Sequence, residues 1–240
     1  MTWLALDTAT DRLSVAVGDS LPDAAEATVR GARRHAAELL PAAVGLLAAR
    51  GLKLSALTGL AVSDGPGSFT GLRIGASVAK ALAKALAIPL FTAPSLMVRA
   101  AGAAHGHAGD SLVLAFANAL RGEVYAAAYR FTPADVVTVL APSVWQPRAL
   151  AEAAPRPDLL VGDAPPDIVE RLAAWSGRIG RPDGGPHAAM LLDLVTRPGG
   201  ARRVADVELW EPEYGRPAEA QARWERAHGR ALADQGGGTG

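Results

Sequence analysis

Cysteine is absent from the 240-residue chain, which removes disulfides, thiolate metal sites and cysteine nucleophiles together. Aromatic residues are only 5% of the total, and Lys53, Lys80 and Lys84 are the only lysines. The formal net charge is zero, with 24 basic and 24 acidic side chains, whereas a free-standing nucleic-acid binder normally shows a basic face. No apolar run is long enough to span a bilayer. The N-terminus, Met1-Thr2-Trp3-Leu4-Ala5-Leu6-Asp7, meets a carboxylate too early for a signal peptide. A soluble cytoplasmic protein without membrane attachment is expected. Metal-ligand patterns are lacking too. The five histidines, His35, His105, His107, His187 and His228, never take metal-ligand spacing on a helix, and no HExxH occurs. His105 and His107 fall in a Gly/Ala/His stretch, 100–110, that is expected to be a linker, and His35 is expected at a solvated helix start.

What is present is alanine and glycine: half of the residues count as hydrophobic, alanine prominent among them, and 26 are glycine. Closely packed, helix-rich structure is expected. The central stretch runs from Val62 to Gly75, with Asp64-Gly65-Pro66-Gly67-Ser68-Phe69-Thr70-Gly71 at its heart. An apolar strand end precedes it, and an Ala/Leu-rich helix over 70–86 follows. Gly65, Gly67 and Gly71 with Ser68 and Thr70 as capping hydroxyls form a strand–turn–helix cradle, where helix N–H groups converge on an anion. The same glycines equally allow the helix to press on its neighbours, and sequence alone leaves both uses open.

Residues 3–7 and 13–17 form a hairpin whose tip carries Asp7, Thr8 and Thr10. These three either face a phosphate or a metal-bound water, or hydrogen-bond their own turn. Helical spacing over 35–50 places Leu39, Leu40, Ala43, Val44 and Leu47 together, with Pro41 kinking or restarting the helix. In the central helix Gly71, Gly75, Ala79 and Ala83 form a small-residue stripe, and Arg73 opposes the helix dipole on the first turn. Beyond the linker, 112–117, the turn Asn118-Ala119-Leu120-Arg121-Gly122 and 123–129 repeat the opening hairpin, an internal duplication. Further elements are expected at 159–163 (strand), 168–175 and 187–194 (helices) and 204–210 (strand). A helix carrying Trp224 is expected over 218–232, with a disordered glycine end at 236–240.

The GPGSFTGLRIG run (65–75) and Leu6-Asp7-Thr8-Ala9-Thr10 together resemble the TsaB (YeaZ) family. Arg34-His35-Ala36-Ala37-Glu38-Leu39-Leu40-Pro41, Arg121-Gly122-Glu123-Val124-Tyr125 and Glu211-Pro212-Glu213-Tyr214 also match it, in order and at similar spacing. The resemblance covers residues 2–216. It implies an α/β protein with the two-lobed actin/sugar-kinase/Hsp70-like (ASKHA) fold, each lobe a mixed sheet flanked by helices. On that basis the lobes are 1–104 and 105–216, with a variable tail at 217–240. The resemblance further implies a non-catalytic scaffold that pairs with TsaD, a paralogue transferring a threonylcarbamoyl group to adenosine 37 of tRNAs reading codons that start with A. The ATPase TsaE would act alongside, and tRNA would be met only through the complex.

Under that reading Leu39, Leu40, Ala43, Val44 and Leu47 of one helix and Arg73, Ile74, Gly75, Val78, Ala79 and Leu82 of the next form the interface, to TsaD or to a second copy. TsaD holds a metal with two histidines one helical turn apart; Ser95 and Arg99 stand at the comparable positions here. A hydroxyl and a guanidinium do not replace two imidazoles, so no metal and no resident cofactor are expected. ATP or ADP in the cleft or at the interface is left open, with Asp7, Thr8, Thr10, Gly65, Gly67, Ser68, Thr70 and Gly71 as its candidate site. One alternative is an ATP-dependent phosphotransferase of the same superfold. Asn118 in the second hairpin weighs against it, as does Leu72-Arg73 where a Walker loop has Lys-Ser/Thr. A metallopeptidase ranks last.

Overall fold

The computed structural model describes residues 1–31, 34–107, 109–178 and 187–215. The first sheet is built from β1 (Thr2–Asp7), β2 (Arg12–Gly18), β3 (Ala25–Arg30), β4 (Leu57–Ser63), β5 (Leu90–Ala93) and β10 (Arg202–Arg203), in the order β10-β5-β4-β1-β2-β3. The second contains β6 (Ser111–Asn118), β7 (Val124–Phe131), β8 (Val136–Trp145) and β9 (Leu159–Asp163), ordered β8-β7-β6-β9. In each, three consecutive strands run antiparallel and the first pairs in parallel with the strand that returns after a helix. The expected duplication is therefore real, and the fold is the two-lobed mixed α/β architecture.

Side-chain alternation, with its period of two, sorts the core into layers. Leu4, Leu6, Leu13, Val15, Val17, Leu60 and Val62 face outward under α1 (His35–Ala49) and α2 (Phe69–Leu86). The opposite face of that sheet carries Ala5, Ala16, Ala61 and Ala93. Those small residues let α3 (Ser95–Ala104) and α6 (Ala189–Thr196) fit between the two sheets. Val113, Ala115, Tyr125, Ala127, Tyr129 and Val161 close this middle layer from the second sheet. The second sheet's outer face, with Leu112, Leu114, Phe116, Val124 and Leu160, lies under α4 (Pro147–Ala153) and α5 (Pro166–Ser176). The result is helices, sheet, helices, sheet, helices.

The layers are interlaced. Helix α3 follows the first sheet yet packs on β6, β7 and β9, whereas α6 follows the second and packs on β1, β2 and β4. The start of α6 is held by that first sheet: Ala188 N–H donates to Ser14 Oγ at 3.0 Å, and Ala189 N–H to Glu26 at 3.4 Å. Residues 197–198 bond back to Thr132 and Val136 of the second sheet, and Arg202 and Arg203 then pair with β5 of the first.

Other expectations need correction. Residues 100–104 are the buried end of α3 and not a linker. Helix α1 runs unbroken through Pro41. His35 is fully buried, its Nε2 3.0 Å from the Thr10 carbonyl, so it ties α1 to the first hairpin and is not solvated. No strand forms over 204–210; the short β10, Arg202 and Arg203, pairs with β5 just before it, and Val204 N–H adds one bond to the Leu90 carbonyl. Strands β3 and β8, both at sheet edges, are additional to the expected elements. β8 is largely exposed and contains Pro142, a residue that edges tolerate and interiors do not. The expected helix at 218–232 and the glycine end lie outside the described residues.

Candidate functional site: the glycine turn and the outer helix face

Parallel pairing of β1 with β4 brings their C-terminal ends together. Asp7 Oδ1 there accepts hydrogen bonds from Ser63 Oγ at 2.8 Å and from the Ala9 N–H at 3.0 Å. Asp7 is almost wholly buried, and that burial pushes its carboxyl above the ordinary 3.8, against the pull of these donors and of Arg99. Thr10 Oγ1 accepts from Arg12 N–H at 3.1 Å, closing the turn on itself. Thr8 is fully buried and its Oγ1 has no hydrogen-bond partner among the described residues.

The glycines answer the question that the sequence left open. A Cβ built on Gly67 would lie 2.3 Å from the Ala9 carbonyl oxygen, and one on Gly71 2.1 Å from that of Thr8. On Gly75 it would lie 2.4 Å from Thr8 Oγ1, and on Gly65 2.0 Å from the Glu213 carbonyl oxygen. The space of each missing side chain is thus taken by the chain itself. Donors at the helix start are engaged as well: Ser68 N–H reaches the Ala9 carbonyl at 2.7 Å, and Gly71 N–H reaches Ser68 Oγ at 3.2 Å. Gly65, Gly67 and Gly71 are thus accounted for as close-packing positions, Ser68 caps the helix, and Thr70 is exposed on α2.

The second hairpin tip is also self-contained. Asn118 Oδ1 accepts from Leu120 N–H at 2.8 Å, and Leu120 and Arg121 take left-handed backbone angles. Ser95 and Arg99 do lie one turn apart on α3. Arg99 is buried and donates from Nη1 to the Phe116 carbonyl at 3.0 Å. Burial lowers its pKa, while the carboxylates of Asp7 and Asp163 favour the charged form. The guanidinium is thus bonded to β6 and felt by Asp7 at the first hairpin tip. Among the described residues no three His, Asp or Glu side chains gather as a metal site.

Sequence reasoning missed Asp64. It is buried, its carboxyl pushed up by desolvation, and it meets Arg202 at 3.0 Å. A carboxylate inside the glycine run was the available signal; a partner 138 residues away in sequence was not.

The proposed interface divides in two. Leu39, Ala43 and Leu47 of α1 and Gly75 and Ala79 of α2 are buried against their own sheet, so they are packing residues and not docking ones. The small-residue stripe serves the first hairpin. Accordingly a Gly75→Leu change would damage the fold and is no clean test of pairing. Leu40 and Val44 remain exposed, at 41% and 43%. Arg73 is exposed, and Ile74, Val78 and Leu82 are half-buried. Between Ala36 of α1 and Phe69, Thr70, Arg73, Ile74, Ser77 and Val78 of α2 runs an open groove of about 450 Å³.

Known proteins share this architecture. Over 233 residues the chain is 30% identical to the tRNA threonylcarbamoyladenosine biosynthesis protein TsaB of Bacillus subtilis, covering 93% of this chain and 98% of that one. The chain belongs to the TsaB (YeaZ) family. TsaB of Escherichia coli is 38% identical over 135 residues, 54% of this chain and 55% of that one. YeaZ from Pseudomonas aeruginosa superimposes with a TM-score of 0.74 at 31% identity, covering 89% of this chain and 99% of that structure. Residues 29–165 also match the family described as TsaD: tRNA N6-adenosine threonylcarbamoyltransferase. Membership places the chain among the proteins of threonylcarbamoyladenosine biosynthesis. No helix among its described residues is long and apolar enough to cross a membrane.

Asp7 yields a prediction for this TsaB-family chain. Its carboxyl binds a proton more tightly folded than unfolded, so its contribution to stability is full at low pH and is lost as pH rises from 3.8 through the raised folded value. Asp7→Asn keeps an acceptor for Ser63 and Ala9 without the buried charge. Its melting temperature is expected to exceed that of the wild type by about 2–4 °C at neutral pH, with the gap closing in acid. Thermal melts across the acidic range check this.

Proposed function

We propose that this TsaB-family protein is a non-catalytic subunit that activates TsaD by pairing with it through the outer face of α1 and α2. Transfer of the threonylcarbamoyl group to adenosine 37 of tRNAs reading codons that start with A belongs to TsaD, with TsaE as the associated ATPase. The observation that carries this reading is the apolar groove between Ala36, Phe69, Ile74 and Val78, flanked by exposed Leu40 and Val44. Helices that only covered their own sheet would turn polar side chains outward here. A stable pair buries roughly 1,200–2,000 Å² in total, which two helices of this length and their flanks can supply. The close approach of Thr8, Ala9 and Glu213 to the glycine turn supports a packing role for that turn.

A phosphotransferase reading finds less support. Asp7 is enclosed and hydrogen-bonded, Asn118 caps its own turn, and Arg99 is buried against the Phe116 carbonyl. Co-elution of the purified chain with TsaD in a size-exclusion experiment tests the proposal. A discrete complex is expected; separate elution at micromolar concentrations would refute it. ATP hydrolysis by this chain alone, abolished in Asp7→Ala, would restore the phosphotransferase reading.

A further inference from the structure

After β10 the chain does not leave the first lobe. It runs back along α2, from the end of that helix towards its start. Val204 N–H donates to the Leu90 carbonyl at 2.8 Å. Glu208 then pairs with Lys84, and Glu211 with Lys80 at 2.7 Å. The Lys80 ammonium also lies 5.8 Å from the Trp210 ring centre. At the start of α2 the Tyr214 ring packs on that of Phe69, with centres 4.6 Å apart. The Arg73 guanidinium lies over the same Phe69 ring at 5.5 Å.

Two fastenings hold this strap at the glycine turn. Glu213 N–H donates to the Asp64 carbonyl at 2.6 Å. Arg202 reaches the buried Asp64 carboxylate at 3.0 Å, Glu213 at 3.3 Å and Thr92 Oγ1 at 3.3 Å. The Lys84 pair is exposed and the Lys80 pair half-buried, and each is individually weak. The Arg202–Asp64 pair differs, because one partner is buried and would otherwise lack a cation.

Phe69 and Arg73 are also wall residues of the α1–α2 groove. The strap therefore reaches the docking surface from behind, through Tyr214. We propose that residues 202–215 are a clamp, fastened by Arg202 on Asp64, that holds Phe69 and Arg73 as one wall of the groove and thereby sets how tightly the partner docks. This inference rests on the docking reading above. Tyr214 and Arg202 are positioning residues: neither lines the groove.

The test uses the full chain carrying Arg202→Ala, with amide hydrogen exchange and TsaD affinity as separate readouts. Exchange over 204–214 and over 69–73 is expected to quicken about tenfold by local opening, while β1 and β6 keep wild-type protection. TsaD affinity is expected to fall about tenfold in parallel. Arg202→Lys restores most of both, since an ammonium still neutralises Asp64. Tyr214→Ala is the second variant, because it leaves Asp64 paired, and it is expected to loosen 69–73 alone. Unchanged exchange over 69–73 in both variants would overturn the clamp. So would a loosened wall with unchanged affinity. Failure of the docking reading shows itself differently, as wild-type pairing by a variant altered in the groove floor.

Discussion

Val78→Glu is expected to abolish pairing with TsaD while leaving a folded chain. Val78 is half-buried at the floor of the groove, beside Ile74 and Ser77. In the free protein a glutamate there can extend into water along the helix surface, so the fold survives. In a docked pair the carboxylate would be trapped between two helix faces without a cation, a loss of roughly 2–5 kcal/mol. Each 1.4 kcal/mol is about a factor of ten in affinity, so a complex seen at micromolar concentration would vanish. The check is co-elution with TsaD, alongside circular dichroism of the variant alone. Val44→Glu, on the exposed rim of α1, is expected to weaken pairing less.

Gly71→Val is expected to have the largest effect on stability. A Cβ at this position would overlap the Thr8 carbonyl oxygen at 2.1 Å, and the Thr8 carbonyl carbon lies at 3.3 Å. Both atoms are backbone of the first hairpin tip, which is itself held by Asp7, Ser63 and Ser68. Neither the helix nor the tip can yield without parting α2 from the sheet. A loss of about 3 kcal/mol is expected, lowering the melting temperature by roughly 6–12 °C for a chain of this size. The result separates the two uses of the glycine run. A phosphate cradle would tolerate the change in the empty protein and lose only ligand binding. A packing seam loses stability with no ligand present.

Much of this was legible in the sequence. The two hairpins, the long central helix and the strands ending near Val62 and Asp163 follow from apolar alternation and glycine punctuation; the parallel pairing of those strands does not. What sequence could not resolve was the direction in which each helix faces. Leu39 and Leu40 are neighbours of equal hydrophobicity, yet one is buried under α1 and the other is 41% exposed. A helix with apolar residues on more than one face does not reveal which is covered by its own sheet. The stripe of Gly71, Gly75 and Ala79 carried the same ambiguity: it marks close approach without naming the neighbour, which proved to be Thr8 and not another molecule. His35 was misjudged because polar side chains are assigned to solvent by default, and here the Thr10 and Gly31 carbonyls lie beside its ring nitrogens. The strap escaped notice because its contacts are long-range ion pairs and one ring contact, with almost no strand of its own.

The most direct measurement is formation of threonylcarbamoyladenosine in tRNA by purified TsaD, TsaE and the adenylate-forming enzyme, with this chain present as wild type, present as Val78→Glu, omitted, or supplied without TsaD. Efficient modification is expected only when wild-type chain and TsaD are together. Modification by this chain without TsaD, or undiminished modification with Val78→Glu, would contradict the claim that it docks on the enzyme and leaves the chemistry there.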